Sequence, residues 1–260
     1  GNININAQAD LNFKLFGDTL QLAPSGYFKR VKPTFYYRHY HGRHILWDNN
    51  DLNSYTQSHI QGLVSYAKTN TTLRVAVDEL TDYTYFAQSY NINSSDGRTK
   101  TQVGVRQSSK PINVLTASLT QDMTWGPLHW ENELTFQNSS NQDALPLPKF
   151  NVYTNLYLRF KIAHVLKCDF GADGTYFTKY IAPDYSPALG QFVVQENQEK
   201  IEIGNYPIVN VYANFHLKQT RFFVMYSHAN AGSGNKQSFL VPHYPINERI
   251  LRFGLSWNFL

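Results

Sequence analysis

The sequence predicts an all-β fold, a transmembrane antiparallel up-and-down β-barrel of about 11–14 strands forming one domain over residues 1–260. Three observations predict it. Apolar and polar residues alternate with period two in runs of about ten residues, the length a tilted strand needs to cross a bilayer. The connections between these runs alternate between very short and long. Aromatic residues make up 15% of the chain, and several of them flank the short connections.

Composition removes the alternatives. Hydrophobic residues are 42% of the 260, but polar or charged residues interrupt every apolar stretch. A spanning helix needs about 20 mostly apolar residues, so helical spans are excluded. No basic segment leading into an apolar one opens the chain, and Gly1 is therefore expected to be a mature N-terminus or a cut in something longer. The net charge of +4 is spread thinly along the chain, which argues against nucleic acid. A single cysteine, Cys168, excludes a disulfide framework and a cysteine-rich metal site. No cofactor is expected.

The first run, 3–15, sets Ile3, Ile5, Ala7, Ala9, Leu11, Phe13 and Leu15 against Asn4, Asn6, Gln8, Asp10, Asn12 and Lys14. Successive strand side chains point to opposite faces, so one face is apolar and the other polar. The second run, 19–41, is irregular around Pro33. In 55–67, Ile60, Val64 and Tyr66 oppose His59, Gln61 and Ser65; in 72–88, Leu73, Val75 and Val77 oppose Arg74 and Asp78. Run 112–125 sets Leu115, Ala117, Leu119 and Met123 against Thr116, Ser118, Thr120 and Asp122. Run 128–138 sets Leu128, Trp130, Leu134 and Phe136 against His129, Glu131 and Glu133. In 151–161, Val152, Leu156, Leu158 and Phe160 oppose Asn151, Asn155, Arg159 and Lys161. In 165–180, Leu166, Cys168, Phe170, Ala172 and Tyr176 oppose Lys167, Asp169, Asp173 and Lys179. Run 208–218 opposes Val209, Val211, Ala213, Phe215 and Leu217 to Asn210, Tyr212, Asn214, His216 and Lys218. Run 221–230 follows, and 249–259 sets Leu251, Phe253, Leu255, Trp257 and Phe259 against Arg252, Gly254, Ser256 and Asn258.

The short connections fall at Gly17-Asp18, 68–71, Gly126-Pro127, 162–164 and 218–220, and the long ones at 42–55, 90–111, 139–150, 181–207 and 230–248. Tight periplasmic turns alternating with extended extracellular loops are the outer-membrane pattern. A soluble β-sandwich has strands averaging about 5–6 residues and no reason to sort its loops. Phe16, Tyr66, Trp125, Trp130 and Phe160 flank the short turns, where an interfacial aromatic girdle sits. The ranges make eleven strands, whereas bacterial single-chain barrels have an even number. Either upstream strands are absent from the chain, or 98–107 hides a further strand. An open edge in lipid would leave backbone groups unsatisfied.

The apolar face, comprising Ile3, Ile5, Leu11, Phe13, Leu115, Leu119, Leu134, Phe136, Leu156, Leu158, Phe170, Val211, Phe215, Leu251, Phe253, Leu255 and Trp257, is expected to face lipid. The charges expected to line a lumen are Lys14, Arg74, Arg159, Lys161, Lys167, Lys218 and Arg252 against Asp78, Asp122, Glu131, Glu133, Asp169 and Asp173. Their signs nearly balance, and such a wall passes hydrophilic solutes by size. His39, His41 and His44, followed by Asp48 and Asp51, could hold a divalent metal or support hydrolysis. The plainer reading is a set of extracellular-end histidines, with Arg38, Tyr40 and Arg43 meeting lipopolysaccharide phosphates. Cys168 falls on the lipid face, and no G-x-S-x-G motif occurs.

Several segments together resemble an outer-membrane porin family of the Bacteroidota. They are Tyr36 to Asn49 (YYRHYHGRHILWDN), Tyr83 to Phe86, Leu145 to Pro148, Tyr185 through Pro187 to Phe192, Gly204 to Pro207 (GNYP), and His243 to Phe259. The resemblance implies a passive pore with no catalytic residues, in a bacterial outer membrane. Members are usually longer, which agrees with absent upstream strands. Leu260 after Phe259 departs from the frequent aromatic ending, and truncation before the native end would explain it. The expected function is a porin for small hydrophilic solutes, in contact with membrane lipid and lipopolysaccharide. Alternatives are the barrel of a TonB-dependent transporter, a scaffold for surface lipoproteins, and a barrel hydrolase using His39, His41, His44 and Asp48.

Overall fold

The computed structural model describes residues 2–259 apart from 94, 96, 198 and 235–238. Gly1 and Leu260 lie outside the described residues. The chain begins with β1 (Ile3–Gln8) and β2 (Leu11–Leu15), which lie end to end along β3 (Asp18–Val31) in one continuous register. The break between them sits opposite Pro24. Ala9 N–H donates to the Pro24 carbonyl at 3.0 Å, but proline has no N–H to return. The turn into β3 places Phe16 and Gly17 at φ 50 and 85, the paired positive values of a two-residue type I′ hairpin.

The first long loop holds a helical turn, α1 (Phe35–Arg38), and a hairpin of β4 (His39–His41) with β5 (Leu46–Asp48). β6 (Tyr55–Tyr66) returns along β3 and passes through a 3₁₀ turn, Ala67–Thr69, into β7 (Thr71–Thr81). The second long loop is a hairpin of β8 (Thr84–Asn93) and β9 (Gly97–Gln107). β10 (Ile112–Trp125), β11 (Leu128–Ser139), β12 (Phe150–Ile162) and β13 (Leu166–Phe177) then run antiparallel, each beside the last. The fourth loop carries β14 (Tyr180–Ile181), β15 (Asp184–Ser186), β16 (Gln191–Gln195) and β17 (Glu202–Ile203). β18 (Ile208–Leu217), β19 (Thr220–Ser227), the small loop pair β20 (Phe239–Val241) and β21 (Tyr244–Pro245), and β22 (Ile250–Trp257) follow.

Together β1–β3, β6, β7, β10–β13, β18, β19 and β22 form a 12-stranded antiparallel sheet. With β1 and β2 sharing one line, this is the eleven-ribbon meander that the alternation predicts. Among the described residues no ladder joins β22 to β1 or β2.

Four expectations need correction. The run 19–41 is not one strand: β3 stops at Val31, before Pro33, and the chain turns helical at Phe35. The run 72–88 breaks at Asp82, whose φ of 54 turns the chain out of the sheet so that β8 pairs with β9 instead. Residues 98–107 are indeed strand, but in that loop hairpin, so the ribbon count is unchanged. Lys218, expected on the lumen wall, sits in the turn after β18 at φ 53.

Burial is inverted relative to a soluble sheet protein. The apolar face is open, with Leu156 47% exposed and Phe253 74% exposed. Leu119, Phe136 and Phe215 are half-buried; for the two phenylalanines, rings on the same face give the cover, Phe150 on Phe136 and Phe170 on Phe215. Cys168 lies on that face yet is fully buried, between Phe160 and Phe215 in register, so it presents no thiol outward. The densest cores lie at the long-loop end. There Trp47, Phe86, Leu189 and Val193 form one cluster, and Leu80, Ile112, Val114 and Ala144 form another.

Candidate functional site

The polar face holds a wall of hydrogen-bonded side chains spread across five strands. Strand alternation brings Glu131 of β11, Asn155, Tyr157 and Arg159 of β12, Asp169 of β13 and Tyr212 of β18 to one side. Arg159 donates to both oxygens of Asp169, at 2.7 and 3.2 Å. The two residues are direct cross-strand partners over the short turn at 163–165, so the hairpin register alone sets this pair. Glu131 accepts from the Tyr157 hydroxyl at 2.8 Å and the Asn155 amide at 3.1 Å. Tyr212 donates to Asn155 at 2.8 Å, Asn210 to Asp173 at 2.8 Å, and Arg221 to Asn214 at 2.9 Å. Asp169 and Tyr157 are 7% and 6% exposed, so a buried charge and a buried hydroxyl are each answered by a partner. The wall encloses a concavity of about 430 Å³.

Gly171 makes this packing possible. A Cβ there would lie 2.5 Å from the Tyr157 Cβ and 2.8 Å from the Tyr212 hydroxyl. Gly171→Ala is therefore expected to push the tyrosines apart and cost about 1–3 kcal/mol, the scale of overpacking a filled site. Urea titration in lipid vesicles measures it. An unchanged midpoint would mean that the two rings are not held as described.

A second cluster lies on β3, β6 and β7. His59 Nδ1 is 2.8 Å from Asp78, Gln57 donates to Asp78 at 3.0 Å and to the Tyr27 hydroxyl at 2.7 Å, and Tyr27 stacks on His59 at 4.7 Å. Arg74 donates to Ser118 at 3.1 Å. Lys14, Asp122, Glu133, Lys161 and Arg252 stand exposed on the same face, and Lys167 is half-buried beside them. Tyr153, Tyr157 and Arg221, which the polar alternation alone does not single out, also line the concavity. Their shared parity with Asn155, Asp169 and Asn214 was the signal; aromatic character disguised the two tyrosines.

The long loops gather into a cap at one end of this face. Tyr36 hydroxyl donates to the Leu189 carbonyl at 2.6 Å and Tyr40 hydroxyl to Ala188 at 3.1 Å, tying the first loop to the fourth. Arg106 grips Glu196 with two bonds of 2.9 Å, tying the second to the fourth. Burial raises the Tyr37 and Tyr83 hydroxyls above their ordinary range, with Tyr37 and Tyr85 adding to the effect on Tyr83. Both stay neutral donors at physiological pH. The histidine group divides: His39 pairs with Asp48 at 2.6 Å, while His41 faces Leu46 across the hairpin. Among the described residues no three His, Cys, Asp or Glu side chains converge as metal ligands.

Comparison with known proteins extends this geometry. The siderophore receptor PirA from Acinetobacter baumannii superposes with a TM-score of 0.64 at 13% identity, covering 98% of this chain and 41% of that one. The ferric enterobactin receptor PfeA from Pseudomonas aeruginosa, solved in complex with enterobactin, superposes with a TM-score of 0.57 at 14% identity, covering 86% and 35%. The chain thus spans less than half the length of either receptor. At such identities the likeness carries the fold, an outer-membrane β-barrel. No curated protein matches. Residues 1–260 match a family described as "Putative porin".

Proposed function

The chain belongs to that porin family, and on this premise we propose that its polar face lines a passive diffusion path for small hydrophilic solutes across the outer membrane. One observation supports this above the others: Arg159 is neutralised by Asp169 across the wall, and the exposed charges Lys14, Lys161 and Arg252 are set against Asp122 and Glu133, leaving a surface without a dominant sign. In this reading the apolar face meets lipid. Arg38 and Arg43, in the loop that carries the β4–β5 hairpin, meet lipopolysaccharide phosphates. The compact cap supports a second reading, in which it docks surface lipoproteins and the sheet conducts nothing.

Reconstitution into planar bilayers separates the two. The purified protein is expected to give steps of ohmic current in potassium chloride, with a reversal potential close to zero in a salt gradient, because an unsorted wall selects weakly. Absence of current, or strong preference for one ion sign, would overturn the diffusion reading.

A further inference from the structure

The polar face carries a file of half-buried aromatic rings, three of them packed on one side against Leu80, Ile112 and Val114, whose open sides ion diffusion leaves without a task. It starts at the cap, where Tyr85 and Tyr83 stack with centroids 5.9 Å apart, and Tyr83 meets Tyr55 edge-on at 6.2 Å. Tyr55 hydroxyl donates to Gln57 at 3.1 Å, Gln57 reaches the Tyr27 hydroxyl at 2.7 Å, and Tyr27 lies on His59. At the top of the file Tyr37, Tyr55, Tyr83, Val31 and Pro33 wall a mostly apolar cavity of about 210 Å³. Rings therefore run from the mouth down the face, with Gln57 and Asp78 beside them as hydrogen-bonding groups.

Apolar platforms edged by a few fixed polar groups make up a ligand site that holds one kind of molecule in one orientation. A linear saccharide offers the matching surface: the C–H face of each ring is apolar, and its rim carries hydroxyls that donate and accept. Asp78, an acceptor, suits hydroxyl donors and repels phosphate. Lys32, which also lines the cavity, disfavours an organic cation there. We propose that this file is a binding track for neutral linear oligosaccharides, with its outermost subsite in the cavity formed by Tyr37, Tyr55 and Tyr83. The proposal rests on the proposed function only in that the polar face encloses water.

The test uses maltohexaose, cellohexaose and xylohexaose as probes, with glucose and uridine as controls. Binding is read by calorimetry on the full chain in detergent micelles, and by interruptions of the current in planar bilayers. At least one hexasaccharide is expected to bind and block, more tightly than glucose. Tyr55→Ala should weaken binding about tenfold, the scale of one lost stacking ring. Tyr55→Phe, which keeps the ring, should retain affinity, and Lys68→Gln, in the exposed turn after β6 and away from the file, should change nothing. If no hexasaccharide binds, if uridine binds better, or if Tyr55→Ala and Tyr55→Phe behave alike, the track is refuted. Current without block refutes the track and leaves diffusion standing. Binding in micelles without current supports the track and refutes diffusion.

Discussion

Leu119→Arg is expected to cost about 2–4 kcal/mol of stability in a bilayer, while Thr120→Arg, one residue along the same strand, stays within about 0.5 kcal/mol. The two positions differ only in the face they occupy. Leu119 lies between Leu73 and Leu134 in register, both more than two-fifths exposed on the apolar side. An arginine there would have to remain charged in hydrocarbon, near the middle of β10 and beyond easy reach of either interface. Thr120 lies on the polar face opposite Glu133, an exposed carboxylate that can receive the new guanidinium. Urea titration of protein folded into phospholipid vesicles, read by the shift of the unheated band in gel electrophoresis, compares the two. At about 1.4 kcal/mol per factor of ten, the expected gap is roughly one and a half to three decades in the folded-to-unfolded ratio. Equal midpoints would show that neither face meets hydrocarbon, and the assignment of both faces would fall.

The two faces that separate that pair are already written in the alternation of the sequence. Strands of the wall are legible because each has one face in lipid and one in water, so the alternation stays clean for ten residues or more. The cap hides for the opposite reason. Thr84, Phe86, Ala87 and Gln88 of β8 are all buried, as are Val193, Val194 and Gln195 of β16, since both faces of these strands are covered. A strand buried on both sides loses its period-two signal, and β8 therefore read as a continuation of β7. Within the wall, the Arg159–Asp169 pair was within reach of inspection because a tight turn fixes its register. The bonds from Tyr157 and Asn155 to Glu131 were not, because ten residues of loop separate β11 from β12 and leave the offset open. Within the β4–β5 hairpin, His39 and Asp48, nine positions apart, are register partners, while His41 sits opposite Leu46.

Trp47→Ala is expected to release the cap and raise the conductance while the sheet stays folded. Trp47 is the ring that the first loop packs around: it is 4.9 Å from Tyr40, 5.8 Å from Phe86 of the second loop, and in one cluster with Leu189 and Val193 of the fourth. Its indole N–H donates to the Tyr36 carbonyl at 3.0 Å, so truncation also orphans a backbone acceptor. Replacing a buried tryptophan by alanine costs about 3–5 kcal/mol, more than a small cluster held by a few loop hydrogen bonds can absorb. The wall strands share none of these contacts; their ladders and the Arg159–Asp169 pair should persist, and the thermal transition of the sheet should not move. Limited proteolysis should cut within 35–49 and 182–196 in the variant and spare the wild type. Because Leu80, Ile112 and Val114 on the polar face pack against the loop tyrosines Tyr83 and Tyr85, the folded loops cover part of that face at its mouth, and freeing them widens the path. Proteolysis that reports a released cap together with an unchanged conductance would show that the loops sit beside the path rather than across it.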